Sequence, residues 1–165
     1  MRYAMWIPCL MGLSFVLGMM LESARASSSD ENDTRVTGIG GIFFKARDPR
    51  KLADWYRRHL GIDLKSTGSS ATSAQYHPFE WLEKGDPGKT GSTVFTIFSD
   101  QTKYFDPSHS SFMINYRVAN LDRLLAQLKK EGVTVDDKIQ DEGYGRFGWA
   151  MDPEGNRFEL WEPKE

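Results

Sequence analysis

Cysteine is nearly missing from this chain. One residue in 165 is Cys, and it stands at position 9 inside an N-terminal apolar run. Downstream of that run there is no disulfide, no thiol nucleophile and no cysteine ligand for a metal. Histidine is scarce too, with three residues (His59, His77, His109), and no pair of them has the spacing of a metal site. Positive charge is not in excess: 21 Lys and Arg against 23 Asp and Glu give a net charge of −2, which excludes a basic footprint for nucleic acid. A phosphate-binding glycine loop is lacking, because Gly38-Ile39-Gly40-Gly41 opens into a strand without the required spacing or following helix. No serine sits in a nucleophile elbow. What survives these absences is a binder of small molecules or proteins, or an enzyme whose chemistry rests on carboxylates.

The chain divides early. Arg2 precedes an apolar run from Trp6 to Leu21, and Ala24-Arg25-Ala26 has the small-x-small form of a cleavage site before Ser27. Residues 1–26 are read as a signal peptide, with export to a periplasm or to the outside as the expectation. The run is also about as long as a membrane anchor, which is the reading if it is not cleaved. Residues 27–35 are a Ser/Asp/Glu-rich tether with no apolar period, and Asn32-Asp33-Thr34 is a glycosylation sequon that matters only in a eukaryote. The remainder is long enough for one ordinary domain and too short for two.

That domain, 36–163, is a repeat. Gly38 to Ala46 alternates as a strand, with Ile42, Phe44 and Ala46 on one face and Gly41, Phe43 and Lys45 on the other. Asp48 caps a helix, Pro49 takes its first position and Gly61 ends it, with Leu52, Trp55, Tyr56, His59 and Leu60 as the apolar stripe. A short strand is expected from Ile62 to Leu64, a loop from Thr67 to Ala74, a strand interrupted by Pro78 from Gln75 to Glu83, a loop from Lys84 to Gly91 and a strand from Ser92 to Phe98. After a linker from Ser99 to Ser110 the order returns. Ser111 to Val118 is a strand, Asn120 caps a helix striped by Leu121, Leu124, Leu125 and Leu128, and Gly132 ends it. An offset of about 72 residues, read from the sequence, lays Lys45 on Arg117, Asp48 on Asn120, Leu52 on Leu124 and Tyr56 on Leu128. A short strand at Val133 to Val135 and a charged loop from Asp136 to Gly143 then lead to a final hairpin. The two halves, about 36–98 and 111–163, must cover each other's apolar sheet face. The fold class is α+β.

The final hairpin carries the most chemistry. Asp152-Pro153-Glu154-Gly155-Asn156 is a tight turn between Tyr144–Met151 and Arg157–Pro163. Beyond it, Phe158 and Leu160 alternate with Arg157, Glu159 and Trp161, so Glu159 points away from the Phe158/Leu160 core face. This stretch, together with the double strand–helix–three-strand repeat, resembles the vicinal oxygen chelate superfamily, which includes glyoxalase I, extradiol dioxygenases, fosfomycin-resistance and bleomycin-binding proteins. The resemblance covers about 36–163. It implies paired βαβββ modules curled into a cupped, partly closed mixed sheet with helices outside and a ligand cavity inside.

In the superfamily's metalloenzymes the last-strand Glu is a metal ligand, which corresponds here to Glu159. The other ligand places fall on Gly41, on Met113 and near Thr93 or Phe95, none of which offers an imidazole or carboxylate. One carboxylate does not hold a divalent transition metal. No cofactor is expected on that count; a divalent metal enters only if Glu159 recruits a non-standard ligand, and His77 is the residue to watch. His59 reads as packing at the core edge and His109 lies in the linker. Strand alternation lines the cavity instead with Phe43, Lys45, Asn115 and Arg117, with Glu159 and Trp161 of the last strand, and with Trp149 or Phe147 across from them. Trp81 is a further wall residue, while Trp55 belongs to the helix stripe. Lys45 or Arg117 could neutralise Glu159, receive an anionic substrate, or simply reach solvent.

Two functions follow. One is a ligand-binding protein resembling the bleomycin-binding branch, holding a small organic molecule against aromatic walls without metal, as a closed monomer or a homodimer. The other is a glyoxalase-like lyase or isomerase, or a dioxygenase, with Glu159 as metal ligand or as general base. A module whose cup is filled by its own side chains is a third, weaker reading.

Overall fold

The computed structural model describes residues 35–83 and 86–164, so the expected signal peptide, nearly all of the tether, Cys9 and the Asn32 sequon lie outside the described residues. The elements in chain order are β1 (Val36–Ala46), α1 (Pro49–Leu60), β2 (Lys65–Ser66), β3 (Gln75–Glu83), β4 (Asp86–Ser99), β5 (Phe112–Val118), α2 (Leu121–Lys130), β6 (Gln140–Glu142), β7 (Gly145–Met151) and β8 (Arg157–Pro163). The strands form one eight-stranded mixed sheet in the order β2-β3-β4-β1-β5-β8-β7-β6, curled but not closed into a barrel. The two β-α-β-β-β halves meet edge to edge where β1 runs antiparallel to β5. Within each half the first strand pairs in parallel with the last, β1 with β4 and β5 with β8. Among the described residues no helix is long and apolar enough to cross a membrane.

Local chemistry explains the helices. The Asp48 side chain accepts from the Lys51 N–H, Pro49 opens α1, and Gly61 closes it at φ 69°. Asn120 does the same for α2, accepting from the Arg123 N–H, and Gly132 follows its end at φ 83°. In the final turn the Asp152 carboxylate takes the N–H groups of Glu154 and Asn156, and Gly155 sits at φ 80°. The α2 stripe packs as read: Leu121, Leu124 and Leu125 join Val118 and Leu160 in a buried cluster.

Several expectations shift. Helix α1 is rotated from its expected stripe, burying Pro49 and Ala53 with Leu52 and Tyr56 half-covered, while Trp55, His59 and Leu60 are exposed. Trp55 packs its ring on Tyr56 and His59 at the surface and not on the core. The loop expected from Lys84 to Gly91 is in large part strand, since β4 starts at Asp86 and pairs back along β3. Ile62 to Leu64 is not a strand; the short β2 lies one residue further on. Val133 to Val135 contributes only an isolated bridge from Val135 to Ala150, and the edge strand β6 forms inside the expected charged loop. Short segments at a sheet edge take their pairing from the neighbouring strand more than from their own composition.

Candidate functional site

The site is the concave side of the sheet. Phe43 comes from β1, Val94, Thr96 and Phe98 from β4, Asn115 from β5, Phe147 from β7, and Glu159 and Trp161 from β8. Tyr76, Gln140 and Tyr144 stand around the mouth, and the cup encloses about 730 Å³. That is in the range of cavities that hold drug-sized ligands. Register sets the floor: Asn115 pairs across to Glu159 and Glu159 to Trp149, so three polar side chains sit abreast on adjacent strands. A bulge between Ile39 and Gly41 lets β1 come close here. A Cβ on Gly40 would stand 2.1 Å from Asn115 Oδ1 and 2.7 Å from the Trp161 ring, so only glycine admits those two side chains.

Glu159 is 1% exposed. Its Oε1 accepts from Asn115 Nδ2 at 2.5 Å, and its Oε2 accepts from Trp149 Nε1 at 2.8 Å and from the Tyr104 hydroxyl. Burial pushes the Glu159 carboxyl above its ordinary range, while the donors from Tyr104, Asn115 and Trp149 and the charge of Arg157 pull it back part of the way. The Tyr104 phenol is pushed strongly upward, first by burial and then by the adjacent carboxylate, so it stays a donor. Behind this floor Phe105, Met113, Phe43 and Trp149 form an apolar cluster.

Tyr104 is the residue that sequence reasoning missed. It lies in the segment that reads as a linker, which folds back over the sheet, stacks Tyr104 on Phe98 at 5.3 Å and buries Phe105 completely. Arg157 fastens the segment, donating to the carbonyls of Tyr104 and Asp106, pairing with Asp136 at 2.9 Å and lying over the Trp149 ring. The adjacent aromatic pair Tyr104-Phe105 in an otherwise polar stretch is the available signal.

The remaining expected site residues divide. Phe43, Asn115, Trp161 and Glu159 line the cup, and Trp149 meets them through Glu159. Lys45 does not reach Glu159; its ammonium lies 5.0 Å from the centre of the Phe105 ring. Arg117 turns outward to pair with Glu83 in a separate groove near the ends of β5 and β8. Trp81 is drawn toward Arg117, lies against Gly91 and donates to Thr93 Oγ1, away from the cup. His77 is on the helix side of the sheet, where its Nδ1 pairs with the Asp63 carbonyl at 2.9 Å and its ring meets Phe79. The phase of β3 sends Tyr76, not His77, into the cup. On β4 likewise Val94 and Thr96 face inward, while Phe95 packs against Phe44 and Tyr56 under α1.

The ligand positions of the superfamily's metalloenzymes do not fit a metal here. At Gly41 a Cβ would lie 2.5 Å from the Phe43 ring, so that place is filled by an aromatic edge. The Met113 side chain is packed into the apolar cluster. Both oxygens of the Glu159 carboxylate are already taken by hydrogen-bond donors, Oε1 by Asn115 and Oε2 by Tyr104 and Trp149, and no imidazole or second carboxylate stands beside it among the described residues. Among the described residues no three of His, Cys, Asp and Glu come together as a metal site.

Comparison with known proteins agrees with this architecture. A variant of methylmalonyl-CoA epimerase from Streptomyces coelicolor, in complex with 2-nitronate-propionyl-CoA, superposes with TM-score 0.57 at 16% identity, covering 79% of this chain and 100% of its own. Methylmalonyl-CoA epimerase from Mycobacterium tuberculosis superposes with TM-score 0.52 at 20% identity, covering 79% of this chain and 90% of its own. At these identities the likeness is one of fold. No curated protein sequence matches the chain. Residues 38–160 match the family described as Glyoxalase/Bleomycin resistance protein/Dioxygenase superfamily, and the chain belongs to that superfamily.

Proposed function

We propose that the cup binds a small organic ligand against aromatic walls, without the metal of the superfamily's metalloenzymes. The observation that carries this reading is the state of Glu159: its carboxylate is buried, held by Tyr104, Asn115 and Trp149, and among the described residues no metal-binding group of His, Cys, Asp and Glu forms around it. Such a group positions and discriminates; it does not coordinate. The walls supply the affinity through apolar and ring contacts. The methylmalonyl-CoA epimerases share the fold, but their named substrate does not transfer, because among the described residues no basic side chain lines this cup to meet the phosphates of a CoA thioester.

The test is metal content and ligand response together. The full chain purified without chelator is expected to carry well under one equivalent of Fe, Ni, Zn or Mn. Its Trp149 and Trp161 fluorescence is expected to respond to small aromatic compounds and not to EDTA. A stoichiometric metal that is lost in Glu159→Gln would overturn the reading in favour of a metalloenzyme.

A further inference from the structure

The lining of the cup has a sign. Among the described residues Glu159 is its one acidic side chain, it accepts hydrogen bonds from Tyr104, Asn115 and Trp149, and no Lys, Arg or His faces the space. Much of the wall is aromatic, with Phe43, Tyr76, Phe98, Tyr104, Tyr144, Phe147 and Trp161 beside a few hydroxyl and aliphatic side chains. Ring faces carry the negative lobe of the π quadrupole. The nearby cations lie behind the wall. Arg157 is committed to Asp136 and to backbone carbonyls, and Lys45 and Lys138 lie over the Phe105 and Trp149 rings. The floor thus presents a buried acidic group that has donors but no cation in salt-bridge contact, among aromatic side chains.

Resting on the ligand-binding reading above, we infer that the ligand of the cup is an organic cation: an ammonium or a cationic heteroaromatic small enough for about 730 Å³. Such a ligand gains from the aromatic lining and from the one acidic side chain of the cup, whereas an anion meets that acid and the rings with no lining cation to receive it. The apolar body of the ligand lies against Phe98 and the Phe147–Trp161 pair, whose planes are 7° apart. Tyr144, 65% exposed, stands at the mouth with its ring against Phe147.

Three probes of nearly the same size separate the possibilities: phenyltrimethylammonium, its neutral isostere tert-butylbenzene, and benzoate, each titrated by tryptophan fluorescence into the full chain. The cation is expected to bind about tenfold or more tighter than the neutral isostere, with benzoate weakest. Glu159→Gln should shrink the ratio of the cation and tert-butylbenzene affinities toward one. Because that buried change risks the fold, Tyr144→Lys at the exposed mouth is the second variant. It should weaken the cation by about tenfold and improve benzoate, and Tyr144→Phe should do neither. Equal or better binding of tert-butylbenzene or benzoate would overturn the cation assignment and leave an organic-ligand cup standing. Failure of all three probes to bind would overturn the cup reading itself, and the cation assignment with it.

Discussion

The two halves share one topology and divide the work unequally. The second half holds an aliphatic core, in which Val118, Leu121, Leu124, Leu125 and Leu160 are buried together under α2. It also supplies Asn115, Trp149 and Glu159 to the floor of the cup. The first half buries little under α1 beyond Pro49, Ala53 and Ile97, and its outer side is an aromatic ladder of Tyr56, Phe95, Phe79 and His77. Trp55, Leu60 and Leu82 stay exposed there. It gives the cup Phe43, Val94, Thr96 and Phe98, and none of the hydrogen bonds to Glu159. The buried core and the positioning of Glu159 thus sit mainly in one copy of the repeat, while both copies shape the space.

The largest expected effect tests that division directly. Leu121 is 0% exposed in the second-half core, so Leu121→Ala should cost about 2–5 kcal/mol of folding stability. Trp55, a larger side chain on the corresponding helix, is 45% exposed, and Trp55→Ala should cost about 1 kcal/mol or less. Urea unfolding of the two variants at one pH decides it. A Trp55→Ala cost equal to that of Leu121→Ala would mean that the halves contribute equally to stability.

The next effect concerns the join between the halves. Tyr104→Phe removes a donor to a buried carboxylate, with an expected cost of about 1.5–3 kcal/mol at neutral pH. It also has a pH signature. The Glu159 carboxyl is raised in the folded state, so folding favours its protonated form. Its contribution is fully present below the unfolded carboxyl value, near 4.5, and is lost as pH rises toward the raised folded value. Asp122 is lowered by its bond to Arg146, so its contribution is present above the ordinary value and lost as pH falls. The two windows lie on opposite sides of about pH 4. Tyr104→Phe should extend the Glu159 window upward, and Glu159→Gln should abolish it. Unfolding curves across pH 3 to 8 read both, and an unchanged slope in Glu159→Gln would show that some other group titrates there.

What the sequence makes legible follows the same line between local and non-local causes. The helix caps, the Asp152 turn and the place of Glu159 on the last strand are each written within a few residues, and the repeat is readable because such local signals recur along the chain. Alternation also says which residues share a strand face, as for Phe43 or Asn115 with its neighbours. It does not say which face is concave when a strand is interrupted, and so it offers His77 and Trp81 to the cup although β3 sends Tyr76 there. Lys45 and Arg117 share the parity of Phe43 and Asn115 but sit near strand ends. Curvature and a local partner take them elsewhere, Arg117 to Glu83 and Lys45 to Phe105. Tyr104 needs the path of a whole linker, set by Phe105 burial and by the Arg157 clamp from the far end of the chain. No local pattern encodes that.

The smallest effect compares the one feature the two halves built alike. Asn120 and Asp48 cap their helices through the same bond, each side chain accepting an N–H three residues on at 3.0 Å. Asn120→Ala should cost about 1 kcal/mol, and Asp48→Ala should destabilise in the same direction. The caps differ in charge. The Asp48 carboxyl is held below its ordinary value, chiefly by the Lys51 N–H. Its contribution is therefore present above about 3.8 and lost as pH falls through the lowered value. Asn120 does not titrate. Lowering the pH from 5 to 2.5 should shrink the penalty of Asp48→Ala and leave that of Asn120→Ala as it was, and Asp48→Asn should make the first cap behave like the second. If both penalties fell together, the acid sensitivity would belong to the sheet that the helices share, and the likeness of the two caps would be one of sequence alone.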